Sequence, residues 1–161
     1  MEMQKYVEIA KQLGFSNAAI MKVSDLVVVP EYRKYCEENL CGCYGVLDAC
    51  PPKSGTVEEM TKAMQAYNEA LILQTVVTPA DMNDPMEHKE AKRQHNILTE
   101  RLMEYMHRDG IEDILMMGAG PWKTSSCMSA YCVDAQRMAD MVGMKCWEKD
   151  GKARYFSLLL V

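Results

Sequence analysis

Seven cysteines are the residues of this sequence best suited to chemistry, and four of them lie close together. Cys36, Cys41, Cys43 and Cys50 fall in a stretch, residues 36–55, that also holds three glycines and two prolines. This composition indicates a loop rather than a helix or a strand. Thiolates are the soft ligands that hold iron–sulfur clusters and structural zinc, and a loop can wrap around an ion. The sequence therefore predicts a metal site with these four cysteines as ligands.

Composition and charge narrow the class of protein. The chain has 161 residues, of which 48% are hydrophobic and 25% charged, so we predict one globular domain over residues 1–161. A net charge of -5 without a basic cluster argues against nucleic-acid binding, which needs a cationic surface. Neither a signal peptide nor an apolar run of ~20 residues is found, which predicts a cytoplasmic protein without membrane contact. In a reducing compartment, cysteines are more often metal ligands or reactive thiols than disulfides.

The order of predicted elements indicates an α/β fold. A capping box at Thr56 to Glu59 starts one helix, and Asp84 followed by Pro85 starts another that extends to Arg108. Apolar runs predict strands near residues 18–23, 70–77, 114–117, 144–147 and 155–161, the last two as a hairpin. Because strands alternate with helices, we predict a single-domain sandwich. Its sheet is mainly parallel with an antiparallel C-terminal edge, and it carries a Cys-rich metal-binding loop.

Several motifs of the chain occur together in a known family. Cys36 and Cys41 are followed by Tyr44-Gly45, then by four residues and Cys50-Pro51-Pro52, and Gly118-Ala119-Gly120-Pro121 comes later. In these motifs the sequence resembles an uncharacterised prokaryotic family of predicted metal-binding proteins. The resemblance extends over nearly the whole chain, including Glu58-Glu59 and the segment from Tyr67 to Leu73. It implies a bound metal and does not imply a particular reaction.

The sequence departs from the family pattern in two places. The family usually has a run of cysteines directly after Gly-Ala-Gly-Pro, whereas here Trp122 follows, and Cys127 and Cys132 come at other spacings. Cys43 is an additional cysteine beside the expected Cys41. Either Cys43 replaces a lost ligand, or Cys127 or Cys132 completes the site from across the fold.

The ligand set leaves the metal open between two choices. The Cys-Pro step at Cys50 and the ferredoxin-like spacing in the family favour an iron–sulfur cluster, hence a redox or accessory protein with a possible redox partner protein. The alternative is a structural zinc scaffold or interaction module. Cys36-x4-Cys41 fits a zinc knuckle, whereas Cys43-x6-Cys50 is too wide. A third hypothesis is an enzyme with a reactive thiol. The sequence indicates neither a substrate nor an oligomeric state.

Three further features have simpler interpretations. The turn at Gly118–Gly120 follows a strand, but Trp122 precedes Lys123-Thr124 where a phosphate loop needs glycine, so we interpret it as a tight turn. His88 and His95 lie about two helical turns, roughly 10 Å, apart, which favours a solvated helix face over joint metal binding. Cys146, in the predicted C-terminal hairpin, is interpreted as a packing residue.

Overall fold

A computed structural model describes residues 2–161, and within it four strands form one sheet with helices against both faces. The strands are β1 Asn17–Lys22, β2 Glu69–Val77, β3 Leu115–Met117 and β4 Ala153–Leu160. The helices are α1 Gln4–Leu13, α2 Arg33–Glu37, α3 Val57–Gln65, α4 Pro85–Arg108 and α5 Ala135–Met141, with short 3-10 turns at Val23–Asp25, Pro30–Tyr32 and Met128–Tyr131. None of the helices in residues 2–161 is long and apolar enough to cross a bilayer.

The sheet is antiparallel throughout, so the predicted mainly parallel sheet is wrong. Its order is β1-β2-β4-β3, and each strand runs antiparallel to its neighbours. β2 and β3 run in the same direction and are joined by α4, as the alternation of elements suggested. The C-terminal strand β4 lies between them, however, and converts both potential parallel contacts into antiparallel ones. The arrangement is a split βαβ unit, which element order alone does not distinguish from a contiguous parallel pair.

The predicted strand at residues 144–147 is also wrong. Met144 is buried and Cys146 packs against the same hydrophobic cluster, so the apolar alternation reflects packing on the sheet. The backbone of this segment is hydrogen-bonded to a side chain: the buried Gln74 amide donates to the Lys145 carbonyl at 2.6 Å. Without a hairpin partner, β4 takes an interior position of the sheet and not its edge.

Strand β2 is covered on both faces, as its continuous apolar run predicts. Leu71 and Leu73 pack in the cluster formed with α1 and α4. Ala70 and Ile72 point to the opposite face and pack in the cluster formed with α3 and α5. All four side chains are fully buried.

The two predicted helix starts are confirmed. The Thr56 hydroxyl accepts from the Glu59 N–H at 3.1 Å, and the Glu59 carboxylate accepts from the Thr56 N–H at 3.1 Å. The Asp84 carboxylate accepts from the Met86 N–H at 2.9 Å, which caps α4. The long helix α4 then crosses the sheet and brings its central turns alongside the turn that follows β3.

Candidate metal centre

Residues 36–55, the cysteine loop, fold back on themselves through backbone hydrogen bonds. The Gly45 N–H donates to the Pro51 carbonyl at 2.9 Å, and the Asn39 side chain accepts from the Tyr44 N–H at 3.0 Å. Gly45 has φ +72°, a left-handed conformation that glycine adopts without steric cost. The Tyr-Gly step therefore turns the chain so that the Cys43 segment lies against the Cys-Pro-Pro segment.

Arg33 anchors both ends of the cysteine loop to the rest of the fold. Its guanidinium donates to the Gly55 carbonyl at 2.9 Å and to the Ala130 carbonyl at 3.2 Å, and it also contacts the Met60 sulfur at 3.2 Å. Arg33 is the first residue of α2, the short helix that contains Cys36. One side chain thus fixes the entry of the loop, its exit and the 3-10 turn that follows Cys127.

The turn at residues 118–121 places Cys127 beside the loop. The Gly118 N–H donates to the Ser126 carbonyl at 2.8 Å, and Gly118 forms a parallel bridge with Cys127. A Cβ on Gly118 would lie 2.8 Å from the Gly120 carbonyl oxygen, so only glycine fits there. Buried Asn96 of α4 holds the turn from the other side. It donates to the Ala119 carbonyl at 3.1 Å and accepts from the Ala119 N–H at 2.8 Å.

Five cysteines belong to the loop or to the cleft beside it: Cys36, Cys41, Cys43, Cys50 and Cys127, hereafter the thiol cluster. Cys36, Cys41 and Cys127 line one cleft together with the turn at residues 118–121. Cys43 donates to the Cys41 carbonyl at 3.6 Å. The five cysteines differ in exposure: Cys50 is buried, Cys41 is exposed, and the other three are half-buried. The structure therefore places Cys127 beside Cys36 and Cys41, whereas ligation by the four predicted loop cysteines stays a prediction.

The raised pKa values of Cys36, Cys43 and Cys50 reflect both burial and neighbouring thiols. Burial, followed by repulsion from the thiolate of Cys127, raises the pKa of Cys36 to about 11. Burial also raises the pKa of Cys50 to about 11, with further contributions from Cys43, Cys127 and the other loop thiols. The pKa of Cys43 is raised by burial and by Cys41. The place of Cys127 beside the loop rests on the cleft that it shares with Cys36 and Cys41.

The remaining two cysteines lie apart from the cluster. Cys132 is fully buried, and its thiol donates to the Pro30 carbonyl at 3.8 Å. Cys132 makes only a minor contribution to the raised pKa of Cys36. Cys146 packs against the sheet, and burial raises its pKa, with the carboxylates of α5 as the next cause. Of the two downstream residues considered from sequence, Cys127 is thus the one placed to complete a site.

The sulfur donors of the thiol cluster suit a thiophilic metal, although they are not arranged around a common point as the ligands of a bound ion would be. Within residues 2–161, no three Cys, His, Asp or Glu side chains are already arranged as the ligands of an ion. The cluster offers sulfur donors alone, which suits zinc or iron–sulfur ligation. The raised pKa values of Cys36 and Cys50 keep these thiols protonated at neutral pH, so a metal would displace their protons on binding.

The histidines of α4 do not join this donor set, and His95 does not lie on a solvated face as predicted. It is 1% exposed, with Nδ1 at 2.7 Å from the Thr75 hydroxyl and Nε2 at 2.8 Å from the Ser157 hydroxyl. His88 is half-buried and hydrogen-bonds the Tyr155 hydroxyl and the Met82 carbonyl. The polar partners on β2 and β4 could not be predicted from the sequence near His95, since they come from distant segments.

Comparison with known proteins gives one finding. No curated protein and no solved structure matches the chain. The sequence model of one family, described as "Predicted metal-binding protein (DUF2284)", matches residues 19–125. The matched segment contains the whole cysteine loop and the turn at residues 118–121, and it ends two residues before Cys127. Because the match covers well over half of the chain, this protein belongs to the DUF2284 family of predicted metal-binding proteins.

Proposed function

We propose that this protein binds its metal through the cysteine loop, with Cys36, Cys41, Cys43 and Cys50 as ligands and Cys127 as a fifth available thiol. One observation carries the proposal. Cys127 comes from a segment far along the chain, yet it lines the same cleft as Cys36 and Cys41. In a family described as metal-binding, three thiols that line one cleft are better explained by ligation than by packing. Cys41 is exposed and Cys36 and Cys127 are only half-buried, whereas a cysteine that serves packing is usually buried.

The proposed metal group is an iron–sulfur cluster in a redox or accessory role. An all-sulfur donor set and the prolines after Cys50 support this choice. When bound, such a cluster supplies one-electron transfer. Cys41 is exposed, and the loop also exposes Leu40 (86%) and Val46 (62%). Exposed apolar side chains beside an exposed ligand suit transient contact with a redox partner protein.

Structural zinc is the second candidate, and the anchoring of the loop favours it. Arg33 joins the loop to the segment after Cys127, so an ion held by thiols from both segments would strengthen a connection that the fold already makes. In that case the metal would supply folding energy and no redox chemistry.

The experiment that separates these functions is anaerobic purification followed by metal analysis and visible spectroscopy. We expect stoichiometric iron and a broad visible absorption that bleaches with dithionite. Cys50→Ser should lose most of the absorption, because Cys50 is the buried ligand of the loop. Cys146→Ser is the matched control. It removes a half-buried thiol outside the thiol cluster and should keep the metal content of the unmodified protein.

The other results have definite meanings. Colourless protein with one zinc per chain, lost in Cys50→Ser, would assign the structural role. Equal metal content in both serine variants would contradict ligation by the cysteine loop.

A further inference from the structure

A cleft of about 370 Å³ opens beside the thiol cluster, hereafter the thiol cleft. One wall is formed by Cys36, Cys41 and Cys127, and another by the turn at residues 118–121. Lys92, Arg154, Tyr155 and Phe156 also line it. Its volume lies within the range of about 300–1,000 Å³ that small-molecule sites occupy. The cleft thus combines possible metal ligands, a backbone turn, apolar side chains and two cations.

The charge of the thiol cleft is opposite to that of the whole chain. The net charge of the protein is -5, yet none of the described residues that line the cleft is Asp or Glu. Arg154 contributes little free charge, because its guanidinium donates twice to the Asp150 carboxylate, at 2.6 and 3.2 Å. Lys92 is different. It is exposed and, within residues 2–161, forms no ion pair.

Lys92 reaches the cleft from helix α4. It lies on α4 four residues before Asn96, so the two side chains share one helix face. The Lys92 stem passes 3.9 Å from the position that a Cβ on Gly120 would take. None of the helix residues one turn away, at positions 88, 89, 95 and 96, is acidic. The charge of Lys92 therefore remains available to a molecule in the cleft.

The other walls of the cleft are held in place before any ligand binds. Asn96 fixes the turn through two hydrogen bonds to Ala119, and the Tyr155 hydroxyl is held by His88. Walls of this kind lose little conformational freedom on binding, which favours affinity. Phe156 and Pro121 supply apolar surface for the uncharged part of a ligand.

We propose that the thiol cleft binds a small organic anion, with its carboxylate or phosphate oxygens at Lys92 and its apolar part against Phe156 and Pro121. The inference goes beyond the proposed metal site and does not require the metal, because Lys92 and the turn lie outside the thiol cluster. A molecule bound there would lie next to Cys36, Cys41 and Cys127. The cleft would thereby place a substrate or effector against the metal group.

Calorimetric titration of the full chain with benzoate, and with benzamide as its neutral analogue, tests the proposal. Inorganic phosphate serves as a second anionic probe, so that a carboxylate and a phosphate are compared. We expect saturable binding of at least one anion, no binding of benzamide, and roughly tenfold weaker anion binding in Lys92→Gln, as the loss of one charge-assisted hydrogen bond implies. Lys89→Gln is the matched control, because it removes an exposed lysine of the same helix that does not line the cleft.

Three results would overturn the inference: no saturable binding of benzoate or phosphate, equal affinity of Lys92→Gln and the unmodified chain, or equal weakening in both lysine variants. Metal content is measured in every sample. Anion binding that depends on Lys92 in protein without metal would leave this inference standing and remove the proposed metal function. Normal metal content without anion binding would do the reverse.

Discussion

His95 should make the stability of the fold depend on pH in a way that one substitution can remove. The ring lies in a polar chain buried between α4 and the sheet, in which it contacts Thr75 and Ser157 and the Thr99 hydroxyl contacts Ser157 at 2.8 Å. Burial lowers the pKa of His95 to about 4, from an ordinary value of 6.5. The folded protein therefore holds the ring neutral at a pH where the unfolded chain would protonate it.

The sign and size of the effect follow from this difference. Because the unfolded state binds the extra proton, the contribution of His95 is complete above pH 6.5 and is lost as the pH falls towards 4. Each pKa unit corresponds to about 1.4 kcal/mol, so the full contribution is roughly 3 kcal/mol. Between about pH 7.5 and pH 5, the linkage relation gives a loss of about 2 kcal/mol in the free energy of unfolding.

Urea denaturation of the unmodified protein and of His95→Gln, at several values between about pH 7.5 and pH 5, measures this loss. The variant should be less stable at neutral pH, because two hydroxyls lose their imidazole partner, but its stability should vary less with pH by about 2 kcal/mol. His107→Gln, which removes an exposed histidine of the same helix, should keep the dependence of the unmodified protein. Identical pH dependence in His95→Gln and the unmodified protein would show that His95 does not set this dependence, and so would an NMR titration that shows His95 protonated at pH 6.

Two further predictions concern the residues that position the site. Asn96→Ala should lower the free energy of unfolding by about 2 kcal/mol, since it leaves the Ala119 N–H and C=O without their buried partner; urea denaturation measures this, and unchanged amide exchange at Ala119 would contradict it. Arg33→Met keeps the apolar stem but removes the hydrogen bonds to Gly55 and Ala130, so limited proteolysis should cut residues 36–55 several times faster than in the unmodified protein. Equal cleavage rates would show that Arg33 does not hold the loop.

Local signals in the sequence predicted local structure well. The reciprocal hydrogen bonds of Thr56 and Glu59 form as the capping box indicates, and α4 ends at Arg108 as predicted. Both helix ends depend on interactions between residues a few positions apart, so a short stretch of sequence is enough to predict them. The double burial of β2 could also be read from its continuous apolar run.

Long-range features could not be read in the same way. The position of β4 between β2 and β3 depends on pairing across the sheet, such as Leu159 with both Leu71 and Met116, and no local pattern specifies it. The burial of His95 depends on hydroxyls from β2 and β4. Because the sequence of α4 is mainly polar, His95 was wrongly predicted to be exposed to solvent. Cys127 was one of two downstream candidates, and its choice over Cys132 rests on the bridge to Gly118.

The functional surface was predicted only in part. The cysteine loop stood out by composition, whereas Lys92 did not, because one lysine on a charged helix carries no signal by itself. Its relevance comes from the cleft that α4 forms with the turn at residues 118–121. A spacing of four between Lys92 and Asn96 was the available sign that both face the same neighbour.

If the thiol cluster binds metal, the metal should protect its cysteines from alkylation, and mass spectrometry can map that protection residue by residue. Anaerobic protein is treated with iodoacetamide before and after removal of the metal by a chelator, and the modified cysteines are identified. We expect at least four thiols of the cluster, Cys50 among them, to react much faster after metal removal, while Cys146 reacts at the same rate in both samples. If the cluster thiols react equally in the two samples, or if metal instead protects Cys146 and Cys132, the metal centre is not at the cysteine loop.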